Sequence, residues 1–411
     1  MTAAALCAAP RQGPQRAAGM VSSGAIVSGA WPTGVLGGLV LAMAPLAILL
    51  VASAAGRAAE AGPDPVWPRI APFFRPPPEF AGDLGPYRSP LLFDDGTPAW
   101  TAADWRKRRE EILRAWHAAM GPWPPLVEKP AVEVLDETRA AGLSCRKVRL
   151  PIDRRRRADG YLLVPDGAGP FPAVVVVYYD AETGAGLRPE TAFRDFGLAL
   201  ARRGFVALSL GWPDPYANDA ADGLQPLSYL AYVAANARAA LAGLREVDAA
   251  RIGVVGHSFG GKWAMFAAAL DEGFACGAWS DPGVVFDESR PNVNYWDPWY
   301  LGAEPGRKRL TRPSPLPDPR PGAYAKLVAA GRDLHELHAL LAPRPFLVSG
   351  GSEDPPERWR ALNHAVAVNR LLGYENRVAL TSRRGHDPTA ESNEQMYLFF
   401  EHFLKPGKAA R

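Results

Sequence analysis

The chain has 411 residues, 48% of them hydrophobic and 22% charged, which marks a globular protein and excludes an intrinsically disordered one. A net charge of +3 leaves no global field to recruit nucleic acid or another polyanion. Three cysteines, Cys7, Cys145 and Cys276, show no zinc spacing, and neither a metal nor another cofactor is expected.

Residues 1–61 read as a leader rather than folded protein. Arg11 and Arg16 precede an apolar stretch from Val35 to Ala55, and small residues follow. Positive region, apolar core and small-residue cleavage pattern together describe a secretory signal cut after Ala54 or Ala61, with Met20 as a possible initiator. Secretion or a periplasmic location is therefore expected. An uncleaved membrane anchor is the alternative, although Pro45 and Gly37-Gly38 weaken a stable span. No further membrane span is expected beyond the leader.

Residues 62–130 are expected to wrap the domain surface and to enter a helix at Thr101. That helix runs to about Met120, with Leu113, Trp116 and Met120 on one stripe. A catalytic domain is expected over 131–405. It opens with antiparallel strands at Val132–Leu135 and Leu143–Leu150, and Tyr161–Val164 pairs back. Arg154 to Arg157 lie between two of these strands and read as a solvated hairpin tip.

From Pro172 the pattern changes to alternating strand and helix. Ala173 to Val177 is wholly apolar, as a strand covered on both faces requires. Strands are predicted at 205–210, 251–256, 275–280, 346–349 and 377–381. Helices are predicted at 193–203, 229–244, 262–270, 333–341, 358–372 and 396–404. Such alternation predicts an α/β fold, a doubly wound and mostly parallel sheet. The stretch 284–330, rich in Trp, Tyr, Pro and Arg, breaks the rhythm and is expected to be a cap.

The chemistry centres on Gly256-His257-Ser258-Phe259-Gly260-Gly261, where a β-branched run ends and a helix begins. This is the G-x-S-x-G nucleophile elbow, a sharp turn that lifts the serine Oγ above the sheet. A Cβ at Gly256, Gly260 or Gly261 would collide with neighbouring elements. A serine needs a base, and the base an orienting acid, in chain order Ser, Asp or Glu, His. His386 follows the last strand and is the expected base. Asp354 follows the preceding strand and is the first choice for the acid. Asp281, in Trp279-Ser280-Asp281-Pro282, is the alternative, with Glu353 and Glu357 behind it. Asp387 is expected to hold the loop.

The oxyanion hole is expected to use the Phe259 N–H and a second amide from the turn after the apolar strand, with Asp180 named. His335 and His338 lack the H-E-x-x-H spacing and read as packing residues. His257 is expected to point away from the reaction. Trp279, Trp296, Trp299 and Tyr300 cluster near the cap, where they serve either sugar stacking or ordinary packing.

On the elbow Gly-His-Ser-Phe-Gly-Gly-Lys, the Asp333-Leu-His-Glu-Leu and Leu341-Ala-Pro-Arg-Pro segments, and Arg384-Gly-His-Asp-Pro-Thr, the chain resembles the glucuronoyl-esterase and acetyl-xylan-esterase-like group of α/β-hydrolases. The resemblance covers roughly residues 100–405. It implies a carboxylesterase acting on small or polysaccharide esters, with Ser258 and His386 at the catalytic positions and Lys262 facing sugar hydroxyls. The group's acid sits after either of two strands, so Asp354 and Asp281 both stay open. The chain departs from glucuronoyl esterases at Phe259, where they carry arginine. Two rival readings share the fold: a prolyl-oligopeptidase-type serine peptidase, and a non-catalytic carbohydrate-binding protein. Oligomeric state is not legible.

Overall fold

The computed structural model describes residues 64–213, 223–304 and 320–405. The leader expected at 1–61 lies outside them, as does part of the expected cap.

Nine strands form one sheet in the order β1-β2-β3-β5-β4-β6-β7-β8-β9. They are β1 Glu133–Ala140, β2 Leu143–Pro151, β3 Arg157–Pro165, β4 Phe171–Val177, β5 Val206–Leu210, β6 Val247–His257, β7 Cys276–Ser280, β8 Phe346–Gly350 and β9 Val378–Ser382. The first three are antiparallel, and β3 meets β5 antiparallel. From β5 to β9 every pairing is parallel.

The α-helices are α1 Trp67–Ile70, α2 Ala102–Met120, α3 Ala181–Gly184, α4 Phe196–Arg202, α5 Pro226–Ala242, α6 Phe259–Leu270, α7 Gly322–Ala329, α8 His335–Leu340, α9 Trp359–Leu371 and α10 Ala390–Leu404. Among the described residues no helix is long and apolar enough to cross a membrane.

β4 shows why the apolar run became a central strand. Val175 and Val177 join the core under α2, α5, α6 and α9, whereas Val174 and Val176 join the core under α1, α4 and α10. Alternate side chains leave a strand on opposite faces, so a sheet covered twice needs an unbroken apolar run. On β6 the same rule puts Val254 on one side and Val255 on the other.

Helix α2 starts where expected, with Thr101 and Asp104 forming a reciprocal capping box. Its buried stripe is Trp105, Arg108, Ile112, Trp116 and Met120, with Leu113 at the margin. Arg108 sits inside because Asp94 and Glu336 pair with it. Helix α10 begins at Ala390, six residues before the expected Met396, because Thr389 and Ser392 make a second capping box. Within the expected cap, residues 284–304 carry no α-helix or strand, and α7 follows at 322. The β2–β3 ladder runs as far as Pro151↔Arg157, so Arg154 to Arg156 occupy a hairpin tip.

Candidate active site

Ser258 sits between β6 and α6 with φ +54° and ψ −112°. This is a left-handed backbone that a residue with a Cβ adopts at a cost of order 1–3 kcal/mol. The surroundings enforce it. The Ser258 N–H donates to Ser280 O at 2.8 Å, tying the turn to the end of β7. A Cβ on Gly256 would stand 2.2 Å from Gly260 O, and one on Gly260 2.1 Å from Val177 O. Both glycines are therefore demanded by close approach of backbone to backbone. Gly261 is less restricted, its Cβ position lying 3.2 Å from Pro282 Cβ.

The turn presents Ser258 Oγ at 2.8 Å from His386 Nε2. On the other side of the ring, Nδ1 meets Asp281 Oδ2 at 2.8 Å. Asp281 is fully buried, and its φ of +52° turns the side chain back over the rim. Its Oδ1 accepts the backbone N–H groups of Gly351 (2.6 Å), Glu353 (3.1 Å) and Asp354 (2.9 Å). Three amide donors converging on one carboxylate oxygen fix the orientation of the side chain. Gly351 permits the approach, since a Cβ there would lie 2.7 Å from Asp281 Oδ2 and 2.3 Å from Gly385 O.

Asp354, the acid expected first, does not face the imidazole. Its Oδ2 and Oδ1 accept from the N–H groups of Gly283 (2.8 Å) and Val284 (2.6 Å). Burial and the neighbouring Asp281 carboxylate both raise its pKa. The two loops have exchanged roles: the acid after β7 rests on amides after β8, and the acid after β8 rests on amides after β7. Glu357 pairs instead with Arg290.

Among the described residues, Asp281, Glu353 and His386 place donor atoms within 4.8 Å of one another, a grouping able to hold a cation. The Asp281–His386 hydrogen bond already uses the imidazole nitrogen on that side. Asn292 and Ser352 donate to Glu353 Oε1, at 3.1 and 3.0 Å.

A residue that sequence reasoning missed holds the His386 loop. Arg383 Nη1 donates to Ser349 O at 2.8 Å, Nη2 to Ser280 Oγ at 3.1 Å and to His386 O, and Nε to Asp387 O at 2.8 Å. One guanidinium thus clamps the His386 loop to the ends of β7 and β8, using the fixed fork of donors that only arginine has. Asp387 pairs with Arg194, in keeping with a loop-holding role. No local signal marks Arg383, because its partners are mostly main-chain oxygens, which any residue type supplies.

The expected sugar contacts are placed in the interior. Lys262 is buried on α6, where Nζ donates to Asn292 O at 2.7 Å and lies 5.2 Å from the Tyr295 ring and 5.3 Å from that of Tyr300. Burial lowers its pKa to about 8, with Asp354 opposing. Trp279 stacks on Phe346 at 5.1 Å, beside His338. It points into the core because its strand is covered on both faces. Trp296 is buried against Tyr324. None of the three side chains is open to a ligand.

His335 and His338 bond to Arg88 O (2.7 Å) and Leu334 O (2.8 Å), consistent with packing. His257 does not turn away: its ring lies 4.8 Å from that of His386. Burial, then the neighbouring His386, Arg383 and Arg194, drive its pKa well down, so it remains neutral there.

At the expected oxyanion position, Phe259 opens α6, so its N–H has no partner within the helix. Of the turn after β4, the Tyr178 N–H already donates to Leu210 O at 3.2 Å. The Asp180 side chain starts α3 by accepting from the Thr183 N–H at 2.8 Å and pairs with Arg188 at 3.3 Å. Tyr179 stacks on Phe259 at 4.5 Å.

A mostly parallel sheet, a strained serine at a strand-to-helix turn, and a histidine and an aspartate on the same rim define the architecture. The fold is that of the α/β-hydrolases. Residues 158–279 match the dienelactone hydrolase family. A curated relative, Carbohydrate esterase MZ0003 from an unknown prokaryotic organism, is 28% identical over 176 residues, which is 40% of this chain and 35% of that protein. The match thus spans about a third of the relative's length. A glucuronoyl esterase from Solibacter usitatus superposes with a TM-score of 0.61 at 20% identity, over 76% of this chain and 96% of the other. A promiscuous CE15 esterase from the marine bacterial metagenome gives 0.62 at 19% identity, over 77% and 97%. At these identities the superpositions establish the α/β-hydrolase fold.

Proposed function

We propose that the chain is an exported serine carboxylic-ester hydrolase acting on esters carried by carbohydrate. The reading is carried by one observation, the unbroken chain from Ser258 Oγ through the His386 ring to Asp281, at 2.8 Å for each link. It is supported by the names of the relatives, carbohydrate and glucuronoyl esterases among them.

In this mechanism Ser258 Oγ attacks the ester carbonyl while His386 Nε2 takes its proton. Asp281 holds Nδ1–H, which selects the tautomer whose Nε2 is free to accept. The tetrahedral oxyanion is held by the Phe259 N–H and a second amide from the Tyr179–Asp180 turn. His386 then returns the proton to the departing alcohol, and a water activated by the same ring releases the acid from Ser258. Phe259 places no cationic side chain beside the reacting carbonyl, so nothing at that position favours a glucuronoyl ester over an acetyl or other small acyl ester. Export rests on the amino-terminal pattern, and amino-terminal sequencing of protein from the medium or periplasm checks it by finding a start after Ala54 or Ala61.

Hydrolysis of p-nitrophenyl acetate tests the chemistry. The chain is expected to be active, and Ser258→Ala to lower kcat by about 10⁴ or more. Retained activity in that variant would sink the mechanism.

A further inference from the structure

Beside the nucleophile the sheet does not end in bare solvent. β3, β5, β4 and β6 are in one row through Gly160↔Leu210, Val177↔Leu210 and Val177↔Gly256. The β2–β3 ladder continues past that row to Pro151↔Arg157, so its tip stands above the same rim as Ser258. Between the hairpin and the turns after β4 and β5 lies a groove of about 710 Å³. This lies within the roughly 300–1,000 Å³ range of ligand sites. From β6 to β3 is three strand spacings, about 14 Å. That reach suits a short run of sugar rings rather than a single acyl group.

The floor is aromatic. Tyr179 lies flat on Phe259 at 4.5 Å, with Trp212 5.3 Å from Phe259 and 4.7 Å from Trp299. Tyr179 and Trp212 both line the groove, and Tyr179 is 48% exposed. A large aromatic face open to solvent beside a nucleophile is a surface built for something to lie on. The wall is polar. Lys147 and Arg157 project from β2 and β3 as exposed cations, and Asp159 stands between them, paired with Arg149 at 2.7 Å.

Charge narrows the ligand class. Three cationic side chains and three carboxylates line the groove, so the lining itself carries no net charge that would select a polyanion. Interleaved donors and acceptors over an aromatic floor match a ligand with many hydroxyls and no charge.

Resting on the esterase reading above, we propose that this groove binds the neutral glycan that carries the ester. Ring faces lie on Tyr179 and Trp212, and hydroxyls meet Lys147, Arg157 and Asp159. The ester itself reaches Ser258 at the end of the aromatic floor.

Isothermal titration of the full chain carrying Ser258→Ala with xylohexaose, cellohexaose, mannohexaose and polygalacturonate tests the proposal. At least one neutral hexasaccharide is expected to bind, and adding Lys147→Ala with Arg157→Ala to weaken it by about tenfold or more. In the chain with Ser258 intact, the same pair is expected to lower kcat/KM on acetylated xylo-oligosaccharides relative to that on p-nitrophenyl acetate. Absent neutral binding, binding indifferent to the two substitutions, or a preference for polygalacturonate each overturns the groove assignment. Those outcomes are separate from the esterase reading, which fails if the unsubstituted chain leaves p-nitrophenyl acetate intact or if Ser258→Ala retains activity.

Discussion

Replacing Asp281 by asparagine is the sharpest perturbation of the site, and the structure supplies its magnitude. Alanine would be a poor choice. It would leave the N–H groups of Gly351, Glu353 and Asp354 facing a void, and each buried unsatisfied donor costs about 1–3 kcal/mol. Asparagine keeps the shape, and its single oxygen turns to those amides. Its NH₂ must then face His386 Nδ1, which can only accept. The ring's proton is displaced to Nε2, where it blocks the transfer from Ser258. Loss of the correct tautomer in a hydroxyl–imidazole–carboxylate system costs about 10⁴ in kcat, or roughly 5 kcal/mol of barrier. Asp354→Asn is the matched control. It sets one amide N–H against an NH₂, at Gly283 or Val284, and leaves the imidazole alone. It is expected to lower the melting temperature while kcat on p-nitrophenyl acetate changes by less than about tenfold. Steady-state kinetics beside thermal melts decide the matter. If the folded Asp354→Asn protein loses as much activity as Asp281→Asn, or if Asp281→Asn retains a tenth of parental kcat, the assignment of the acid is wrong.

Arg383→Lys should lower kcat by about 10–100-fold with KM little changed, because one ammonium cannot hold Ser280, Ser349 and His386 together; unchanged kcat would remove Arg383 from the site. Burial raises Asp333 from 3.8 to about 7, so its folded-state pKa exceeds the unfolded one. The contribution is then fully present below about pH 4 and lost as pH rises through about 7. Asp333→Asn should accordingly gain melting temperature over the parent progressively across that window, and equal gains at pH 4 and 8 would refute it. Gly260→Ala should cost at least about 3 kcal/mol or prevent folding, since its Cβ meets Val177 O at 2.1 Å. Gly385→Ala, beside His386 but with open space at its Cβ, should stay within about 0.5 kcal/mol in chemical denaturation.

The strands were legible because burial on both faces writes itself into composition. Ala173 to Val177 has no alternative reading once a helix of ordinary length is excluded. The elbow was legible for a similar reason: strand, glycine-flanked serine and helix are contiguous, so local chemistry decides. The acid was not. Asp281 and Asp354 each follow a strand on the same rim, and which one faces the ring depends on amides more than 65 residues away in sequence. Lys262, Trp279 and Trp296 misled for a different reason. Residue type suggests sugar contact, but exposure is set by what the chain packs against them: Asn292 and Tyr295 cover Lys262, Phe346 and His338 cover Trp279, and Tyr324 covers Trp296. Arg383 had no sequence signal at all. An arginine that binds main-chain oxygens leaves no partner residue to find.

The pairing of β6 with β7 has a consequence for how the molecule loses competence. Ser258 and Asp281 leave adjacent strands in register at His257↔Ser280, so any event that separates them must first unzip the centre of the sheet. His386 enjoys no such protection. It rides on a loop beyond β9, partly exposed and held mainly by the guanidinium groups of Arg383 and Arg194. Opening of that loop requires only local unfolding, far less free energy than melting the core. On warming, hydrolysis should therefore fade while the sheet remains intact, and cooling should restore it without refolding.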